Sequence, residues 1–255
     1  MIDLPRSPGF RLDGLRALVT GAGRGIGLAA AAALAEAGAH VTLAARTVME
    51  IEEAAGAITA AGGTARALVL DVLDTATTRA TIAAQEPFAI LVNNAGTNRP
   101  KPFVEVGVDD YDAVLDLNLK AAFFVAQSVA NGMIGAARGG SIIHMGSQMG
   151  HVGGPRRTLY CASKWALEGL SKAMALDLAP HQIRSNTIAP TFIETPMTRP
   201  FFDDAAFRDD VLKRIKLGRL GMVEDLMGAV VYLASPAAAM VTGTSLVVDG
   251  GWTAD

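Results

Sequence analysis

The sequence is poor in the residue types that form covalent cross-links and metal sites. It contains one cysteine, Cys161, and four histidines in 255 residues. A single cysteine excludes an internal disulfide and is typical of a protein in a reducing compartment, so we expect a cytoplasmic location. The histidines are scattered without the spacing of a metal-binding motif, so we expect no metal site.

An excess of positive charge and long apolar runs are also lacking. Lysine and arginine number 22 against 25 acidic residues, which gives a formal net charge of -3. Nucleic-acid-binding proteins carry a basic surface that this balance does not provide. Residues 1–15 lack the apolar stretch of a signal peptide, and no segment is expected to reach the roughly 18 apolar residues of a membrane span. We therefore expect a small-molecule substrate, with neither nucleic acid nor a membrane as partner.

Apolar residues are abundant, at 51% of the chain, and they fall in short runs that alternate with helical patterns. This alternation of strands and helices, with strands that are apolar on both faces, indicates an α/β protein. We predict a Rossmann-type, doubly wound parallel sheet of about seven strands with helices on both faces. The predicted strands are Leu15–Thr20, His40–Ala45, Thr64–Leu70, Phe88–Val92, Gly140–Met145, Ile183–Ala189 and Ser245–Val248. The predicted helices are Leu28–Ala37, Val48–Ala61, Thr75–Gln85, Asp109–Ile134, Thr158–Leu178 and Glu224–Ala234.

The predicted elements run without an internal linker, repeat or low-complexity segment, so residues 1–255 are predicted to form one domain. Residues 1–13 precede the first strand as an N-terminal extension. Residues 191–220 are less periodic and contain clustered charges and prolines. We interpret that stretch as a mobile excursion that covers the substrate.

A glycine-rich loop follows the first predicted strand and opens the first predicted helix. Its glycines are Gly21, Gly25 and Gly27, with Arg24 and Ile26 between them. Glycines in this position let backbone N–H groups and the helix N-terminus approach a pyrophosphate. The loop therefore predicts a dinucleotide-binding site.

The end of the second predicted strand indicates which dinucleotide is bound. An acidic residue there would bind the ribose 2′-hydroxyl of NAD, whereas an arginine would accommodate the 2′-phosphate of NADP. The strand ends in Ala44-Ala45-Arg46-Thr47, and Arg24 adds a second cation nearby. The sequence favours NADP over NAD.

Tyr160 and Lys164 are four residues apart on a predicted helix and so share one face of it. An ammonium beside a phenol favours the phenolate, so we expect Lys164 to lower the pKa of Tyr160 and make it a usable acid and base. The spacing alone is common by chance, and a surface tyrosine and lysine remain the alternative. Ser147, thirteen residues upstream, offers a hydroxyl that could stabilise negative charge on a substrate oxygen.

These motifs, in this order, resemble the short-chain dehydrogenase/reductases over roughly Leu12 to Trp252. The resemblance implies an NAD(P)-dependent oxidoreductase that interconverts a secondary alcohol and a ketone by hydride transfer. Thr191 departs from the pattern, because the family often has glycine after Pro190. The matching motifs are Thr20-Gly21-x-x-x-Gly25-Ile26-Gly27, Asp71, Asn93-Asn94-Ala95-Gly96, Asn118, Ser147, Tyr160-x-x-x-Lys164, Pro190 and Val248-Asp249-Gly250-Gly251.

The resemblance also implies roles for the catalytic residues. Tyr160 is implied as the general acid/base on the substrate oxygen, and Ser147 as a hydrogen-bond donor to that oxygen. Lys164 is implied to hold the nicotinamide ribose. Asn118 is implied to anchor a water that relays protons from Lys164 to solvent; without the family, an asparagine that ties down a helix bend is an equal alternative.

The implied cofactor contacts extend well beyond the glycine loop and Arg46. Asp71 is implied to contact the adenine; the alternative interpretation is that its side chain only caps the end of the third strand. Further contacts are implied at the adenine ribose and at the nicotinamide carboxamide. These residues are Val72, Asn93, Ala95, Gly96, Pro190, Ile193 and Thr195.

Polar and cationic residues near the predicted pocket, with Gln148, His151 and Arg157 as candidate substrate contacts, hint at a sugar, polyol or sugar acid. A 3-oxoacyl-thioester reductase is the enzymatic alternative, since the family's catalytic core is shared. A non-catalytic NAD(P)-binding sensor or scaffold is the alternative from another class. The resemblance further implies a homotetramer, with a dimer as second choice.

Overall fold

The structure is a computed structural model that describes residues 3–254, and its strands form one seven-stranded parallel sheet. Met1, Ile2 and Asp255, at the ends of the predicted domain, lie outside the described residues. The strand order is β3-β2-β1-β4-β5-β6-β7, which confirms the predicted doubly wound fold. The strands are β1 (Arg16–Thr20), β2 (His40–Ala45), β3 (Thr64–Val69), β4 (Ile90–Asn93), β5 (Gly140–Met145), β6 (Ile183–Pro190) and β7 (Ser245–Val248).

Helices cover both faces of the sheet. The first face is packed against α1, α2 and α8, and the second against α3, α5 and α6. The helices are α1 (Gly25–Glu36), α2 (Val48–Ala60), α3 (Thr75–Ala83), α4 (Val108–Leu115), α5 (Ala122–Ala136), α6 (Thr158–Leu178), α7 (Ala205–Arg214) and α8 (Glu224–Ala234).

The middle positions of the central strands β1 and β4 are apolar because both faces of the sheet are buried. In β1, Ala17 and Val19 point into the first core, whereas Leu18 points into the second. In β4, Val92 and Leu91 divide in the same way. Successive side chains of a strand point to opposite faces, so one short apolar run supplies two separate cores.

The helix predicted over Asp109–Ile134 is continuous over Val108–Ala136 but contains a π-helical segment at Asp116–Ala121, between α4 and α5. Among the described residues this is the one helix long and apolar enough to cross a membrane by length and composition. In the fold, Val125 and Met133 of this helix are buried against the sheet, and a core helix passes the same compositional test.

The remaining predicted elements lie within three residues of the observed ones. One helix was missed: α7 lies inside the 191–220 stretch that we interpreted as irregular. It buries one side chain, Val211, so it lacks a strong apolar period. Its start is capped instead by Asp204, whose carboxylate accepts hydrogen bonds from the N–H groups of Ala206 and Phe207.

The strand order reverses at β1, whose neighbours on the two sides are β2 and β4. The chain leaves the carboxyl ends of β1 and β4 in opposite directions, which opens a crevice between the two following loops. The glycine loop follows β1, and residues 94–98 follow β4. The fold therefore places the predicted cofactor motif at the crevice where such sheets bind ligands.

Gly27 is the position where this crevice tolerates no side chain, since a Cβ atom there would lie 2.2 Å from the Gly21 carbonyl oxygen. We expect Gly27→Ala to lower the free energy of unfolding by about 3 kcal/mol, because backbone must move to relieve the overlap. Gly56→Ala, on α2 with nothing within 4 Å of the new Cβ, is the matched control and should stabilise by about 0.5–1 kcal/mol. Urea unfolding measures both; equal effects would contradict the close approach.

Candidate active site

The glycine loop bends so that its backbone faces the crevice. Gly21 and Gly25 have φ values of +63° and +57°, in the left-handed region that favours glycine. α1 begins at Gly25, and no side chain caps its first turn. The free N–H groups and the positive end of the helix dipole therefore face the place where a pyrophosphate would lie. These features fit a dinucleotide.

A cleft of about 350 Å³ runs from this loop to the start of α6. It brings together most of the residues that the sequence predicted for catalysis, cofactor binding and substrate binding. Those lining the cleft are Gly21, Arg24, Gly25, Ile26, Gly27, Arg46, Asp71, Val72, Ala95, Gly96, Ser147, Gln148, Arg157, Tyr160, Lys164, Pro190, Ile193 and Thr195.

Two predicted contact residues lie outside the cleft. The amide of Asn93 is buried beneath it and donates a hydrogen bond to the Ala122 carbonyl oxygen at 2.7 Å. His151 Nε2 lies 2.8 Å from the Ser245 hydroxyl and 3.6 Å from a Glu168 carboxylate oxygen. Both side chains have partners within the protein, and neither lines the cleft. Their predicted contacts with the cofactor and the substrate stay predictions.

Asn118 also lies outside the cleft, in the π-helical segment. Its amide nitrogen donates to the Thr97 carbonyl oxygen at 2.9 Å and to the Ser163 hydroxyl at 3.0 Å. Its amide oxygen accepts from the Thr97 N–H at 2.8 Å. These bonds use both N–H donors and join the loop after β4 to α6. The geometry favours the reading in which Asn118 ties down the helix bend, and the proposed water relay stays a prediction.

Three candidate catalytic side chains converge on the middle of the cleft. Ser147 follows β5, and its Oγ accepts a hydrogen bond from the Met149 N–H at 3.1 Å, which leaves its own hydrogen free to donate. Tyr160 lies in the first turn of α6. One turn later, Lys164 Nζ lies 5.5 Å from the centre of the tyrosine ring and donates to the Met145 carbonyl oxygen at 2.6 Å.

The expectation that the pKa of Tyr160 is lowered by Lys164 is wrong. Burial raises the pKa of Tyr160, and the Ser147 hydroxyl and the Arg157 charge offset part of that increase. Burial also lowers the pKa of Lys164 to about 8, partly opposed by the negative charge of Glu168. Desolvation of the Tyr160 phenol outweighs these opposing effects, so Tyr160 is a neutral phenol at neutral pH.

The cofactor end of the cleft carries two arginines and one carboxylate. Arg46 lies at its rim and is exposed. Arg24 forms an ion pair of 3.3 Å with Glu50, the third residue of α2. Glu50 was not among the residues predicted from the sequence, although its place four residues after Arg46 was a usable signal. The carboxylate compensates part of the positive charge that a 2′-phosphate would meet.

The opposite end of the cleft contains polar side chains without partners. Gln148 is 1% exposed, and neither its amide oxygen nor its amide nitrogen has a hydrogen-bond partner among the described residues. The Thr191 hydroxyl and the Asn98 amide oxygen are unpartnered in the same sense. Buried polar atoms are normally hydrogen-bonded, so these groups indicate a cleft prepared for a polar ligand.

Comparison with known proteins gives consistent matches along the chain. A family model described as enoyl-(acyl carrier protein) reductase matches residues 21–253. D-erythrulose reductase of Gallus gallus is 40% identical over 245 residues, which cover 96% of this chain and 98% of the relative. Gluconate 5-dehydrogenase of Gluconobacter oxydans (strain 621H) is 41% identical over 248 residues, with 96% of each chain covered.

A solved structure agrees in fold as well as in sequence. The gluconate 5-dehydrogenase of Burkholderia cenocepacia J2315, in complex with NADP and tartrate, superposes with a TM-score of 0.93. It is 42% identical to this chain, and the match covers 96% of this chain and 98% of that one.

The protonation states of Tyr160 and Lys164 predict that kcat/KM depends differently on pH in the two directions of an alcohol–ketone reaction. Oxidation needs the phenolate, so its kcat/KM should rise from pH 6 to about pH 8, with a slope of about 1 on a logarithmic plot. Reduction needs the phenol and should be level over that range, then fall as Lys164 loses its proton above its pKa of about 8. Steady-state rates in both directions measure this.

The matched control for this prediction is Lys172→Met on α6, whose ammonium is exposed and donates to the Gly243 carbonyl oxygen. It should keep both profiles, whereas Lys164→Met should lower the rates and remove the decline above pH 8. An oxidation profile that is flat from pH 6 to 8 contradicts a phenol with a raised pKa.

Proposed function

The chain belongs to the short-chain dehydrogenase/reductase family, and we propose that it prefers NADP and acts on a sugar, polyol or sugar acid. As a member of that family it is an NAD(P)-dependent enzyme that interconverts a secondary alcohol and a ketone. The observation that carries the proposal is the convergence of Ser147, Tyr160 and Lys164 beside the unpartnered amide of Gln148.

We assign the proton chemistry to Tyr160. A nicotinamide bound in the cleft would supply the hydride chemistry at the substrate carbon. In reduction, the Tyr160 hydroxyl gives its proton to the carbonyl oxygen as negative charge develops there; in oxidation the phenolate takes the alcohol proton back. The Ser147 hydroxyl donates its hydrogen to the same substrate oxygen, which orients that oxygen toward Tyr160 and stabilises the negative charge that develops on it. The Lys164 ammonium stabilises the phenolate while it exists and binds the cofactor ribose.

The cofactor assignment rests on the two ends of its binding cleft. The open backbone N–H groups of the first turn of α1 would hold the pyrophosphate, and Arg46 the 2′-phosphate. Asp71 and Val72 line the cleft where an adenine would lie, and Thr195 lies beside the glycine loop toward the nicotinamide. The NADP bound to the Burkholderia cenocepacia enzyme supports the same choice for this chain.

The substrate assignment rests on Gln148. Its buried amide presents two N–H donors and one carbonyl acceptor with no protein partner, which suits the neighbouring hydroxyl groups of a sugar chain. The names of the relatives support this choice, since erythrulose and gluconate are both polyhydroxylated. A 3-oxoacyl thioester, the alternative substrate, would leave these polar atoms against an alkyl chain at a cost in binding.

We further propose a single cytoplasmic domain that assembles as a homotetramer. Several large apolar side chains on α5 and α6 are exposed, including Phe123, Trp165 at 54% and Leu176 at 79%. Exposed apolar side chains on adjacent long helices favour association with further copies. Analytical ultracentrifugation distinguishes a tetramer from a dimer.

Tyr160→Phe tests the catalytic assignment. We expect kcat for oxidation of polyols and sugar acids with NADP⁺ to fall by about 10²–10⁴-fold, because the proton has no acceptor. The affinity for NADPH, measured by fluorescence, should stay within a factor of a few. Tyr111→Phe, which removes an exposed hydroxyl from α4, is the control and should leave kcat unchanged.

Two outcomes of that assay would contradict the proposal. Full activity of Tyr160→Phe would remove Tyr160 from the mechanism. Turnover of 3-oxoacyl thioesters by the wild type, with no oxidation of any polyol or sugar acid, would assign the substrate to the alternative class.

Arg46→Asp tests the cofactor preference. We expect the affinity for NADPH to fall about 10–100-fold, since a charge-assisted hydrogen bond to phosphate is worth about 1.5–3 kcal/mol. The affinity for NADH should stay level or increase, because a carboxylate there suits a ribose hydroxyl. Arg79→Asp, a matched charge reversal at an exposed position on α3, should change neither affinity. Equal losses for both cofactors would contradict the assignment of Arg46 to the 2′-phosphate.

A further inference from the structure

Arg157 is a buried cation without a polar partner. It precedes the first residue of α6 and is 7% exposed. Within residues 3–254, the other buried charged side chains each form a hydrogen bond, whereas no hydrogen bond or ion pair joins the Arg157 guanidinium to the protein. Burying an unpaired charge is costly, so its retention needs an explanation.

Three aromatic rings surround this guanidinium. Its central carbon lies 5.4 Å from the ring centre of Phe192, 5.3 Å from that of Phe201 and 5.9 Å from that of Phe207. Cation–π contacts offset part of the charge and hold the side chain in place. Ring faces accept none of the five N–H donors, which lie in the plane of the group. The rings therefore hold the guanidinium in place without supplying hydrogen-bond acceptors for its donors.

The donors belong to the same cleft as the reaction centre. Arg157 lines that cleft together with Tyr160 and Gln148, and its charge acts on the Tyr160 hydroxyl. In the described part of the chain, the acidic residues that line the cleft are Glu50 and Asp71, both at the cofactor end. The substrate end thus carries a fixed cation and no protein anion.

We propose that Arg157 binds a carboxylate of the substrate, so that the preferred substrate is a polyhydroxy acid and not a neutral polyol. A guanidinium binds a carboxylate through two parallel N–H···O bonds, and the desolvated cage strengthens them. Gln148 then holds a hydroxyl, while Ser147 and Tyr160 hold the reacting oxygen. This inference rests on the proposed function of the same cleft and narrows its substrate class.

Arg157 also has a competing structural role as a latch. Phe201 and Phe207 belong to the 191–220 segment, so the cation–π contacts join that segment to α6. A pure latch would affect acid and neutral substrates equally, whereas a carboxylate subsite would affect the acid alone. A pair of substrates that differ only in charge separates the two roles.

The test compares D-gluconate with D-glucitol, which carries a CH₂OH group in place of the carboxylate, in the wild type, Arg157→Met and Arg157→Lys. We expect the wild type to favour gluconate. In Arg157→Met, the KM for gluconate should rise about 10–100-fold with little change in kcat, because the lost bond is present throughout the reaction. Arg157→Lys should be intermediate, since a lysine gives a point charge without the fork.

Two controls keep the comparison specific. The kinetics with D-glucitol and the affinity for NADPH should match the wild type in both variants. Arg156→Met removes the neighbouring exposed cation, which lies outside the cleft, and should leave the KM for gluconate unchanged. A calorimetric titration of gluconate into the NADPH-saturated protein, in which gluconate cannot be oxidised, measures binding directly, with binding expected in the wild type and lost in Arg157→Met.

The other outcomes overturn the inference. Parallel losses for gluconate and glucitol in Arg157→Met would make Arg157 a latch. A wild type that uses glucitol as well as gluconate would refute the carboxylate subsite and leave the proposed function standing. Absence of turnover with every sugar acid and polyol would refute the proposed function itself, and gluconate binding in the calorimeter would then still decide the subsite. If Arg157→Met does not fold, Arg157→Lys carries the same comparison.

Discussion

The site depends on the close contact between the loops that follow β1 and β4. The Asn94 amide nitrogen donates to the Thr20 and Gly21 carbonyl oxygens at 3.0 and 3.1 Å. The Thr20 hydroxyl in turn accepts from the N–H groups of Asn94 and Ala95. One half-buried amide therefore sets the distance between these two loops, which form the cofactor end of the cleft. Only glycine fits at position 27, because a Cβ atom there would lie 2.5 Å from the Asn94 amide nitrogen.

The charged residues are distributed along the cleft, so that those at its two ends and in its middle can interact with different parts of the ligands. Arg24 and Arg46 lie at one end with Glu50 beside them, Lys164 lies buried in the middle, and Arg157 lies at the far end among aromatic rings. Arg24 and Arg46 are exposed, whereas Lys164 and Arg157 are buried, so the two pairs interact with anions at different effective dielectric constants. The exposed pair suits a phosphate in contact with water, whereas the buried cations suit charge that forms or binds away from it.

Local patterns in the sequence were sufficient for the fold and for most of the cleft. The conformations of β1 and of the glycine loop are determined by residues close together in sequence, so the spacing of those residues predicts them. The hydrogen bonds of His151 and Asn93 were not predictable from spacing, because their partners, Ser245 and Ala122, are distant in sequence. The pKa of Tyr160 was misjudged for a related reason: the pair spacing fixes the attraction, whereas burial depends on the complete fold. α7 was missed because a polar helix carries little periodic signal.

The π-helical segment Asp116–Ala121 divides one continuous helix into two parts with different partners. Before it, α4 packs against α6; after it, α5 packs against α3 and the sheet. A π turn accommodates one extra residue, which rotates everything beyond it by roughly 100°. Because of this rotation, α4 faces α6, which carries Tyr160 and Lys164, whereas α5 faces the second core. Asn118 lies in this segment. Deletion of a single residue there would rotate α5 relative to α4, so that the two helices could no longer face their partners together, although the composition of the helix would hardly change.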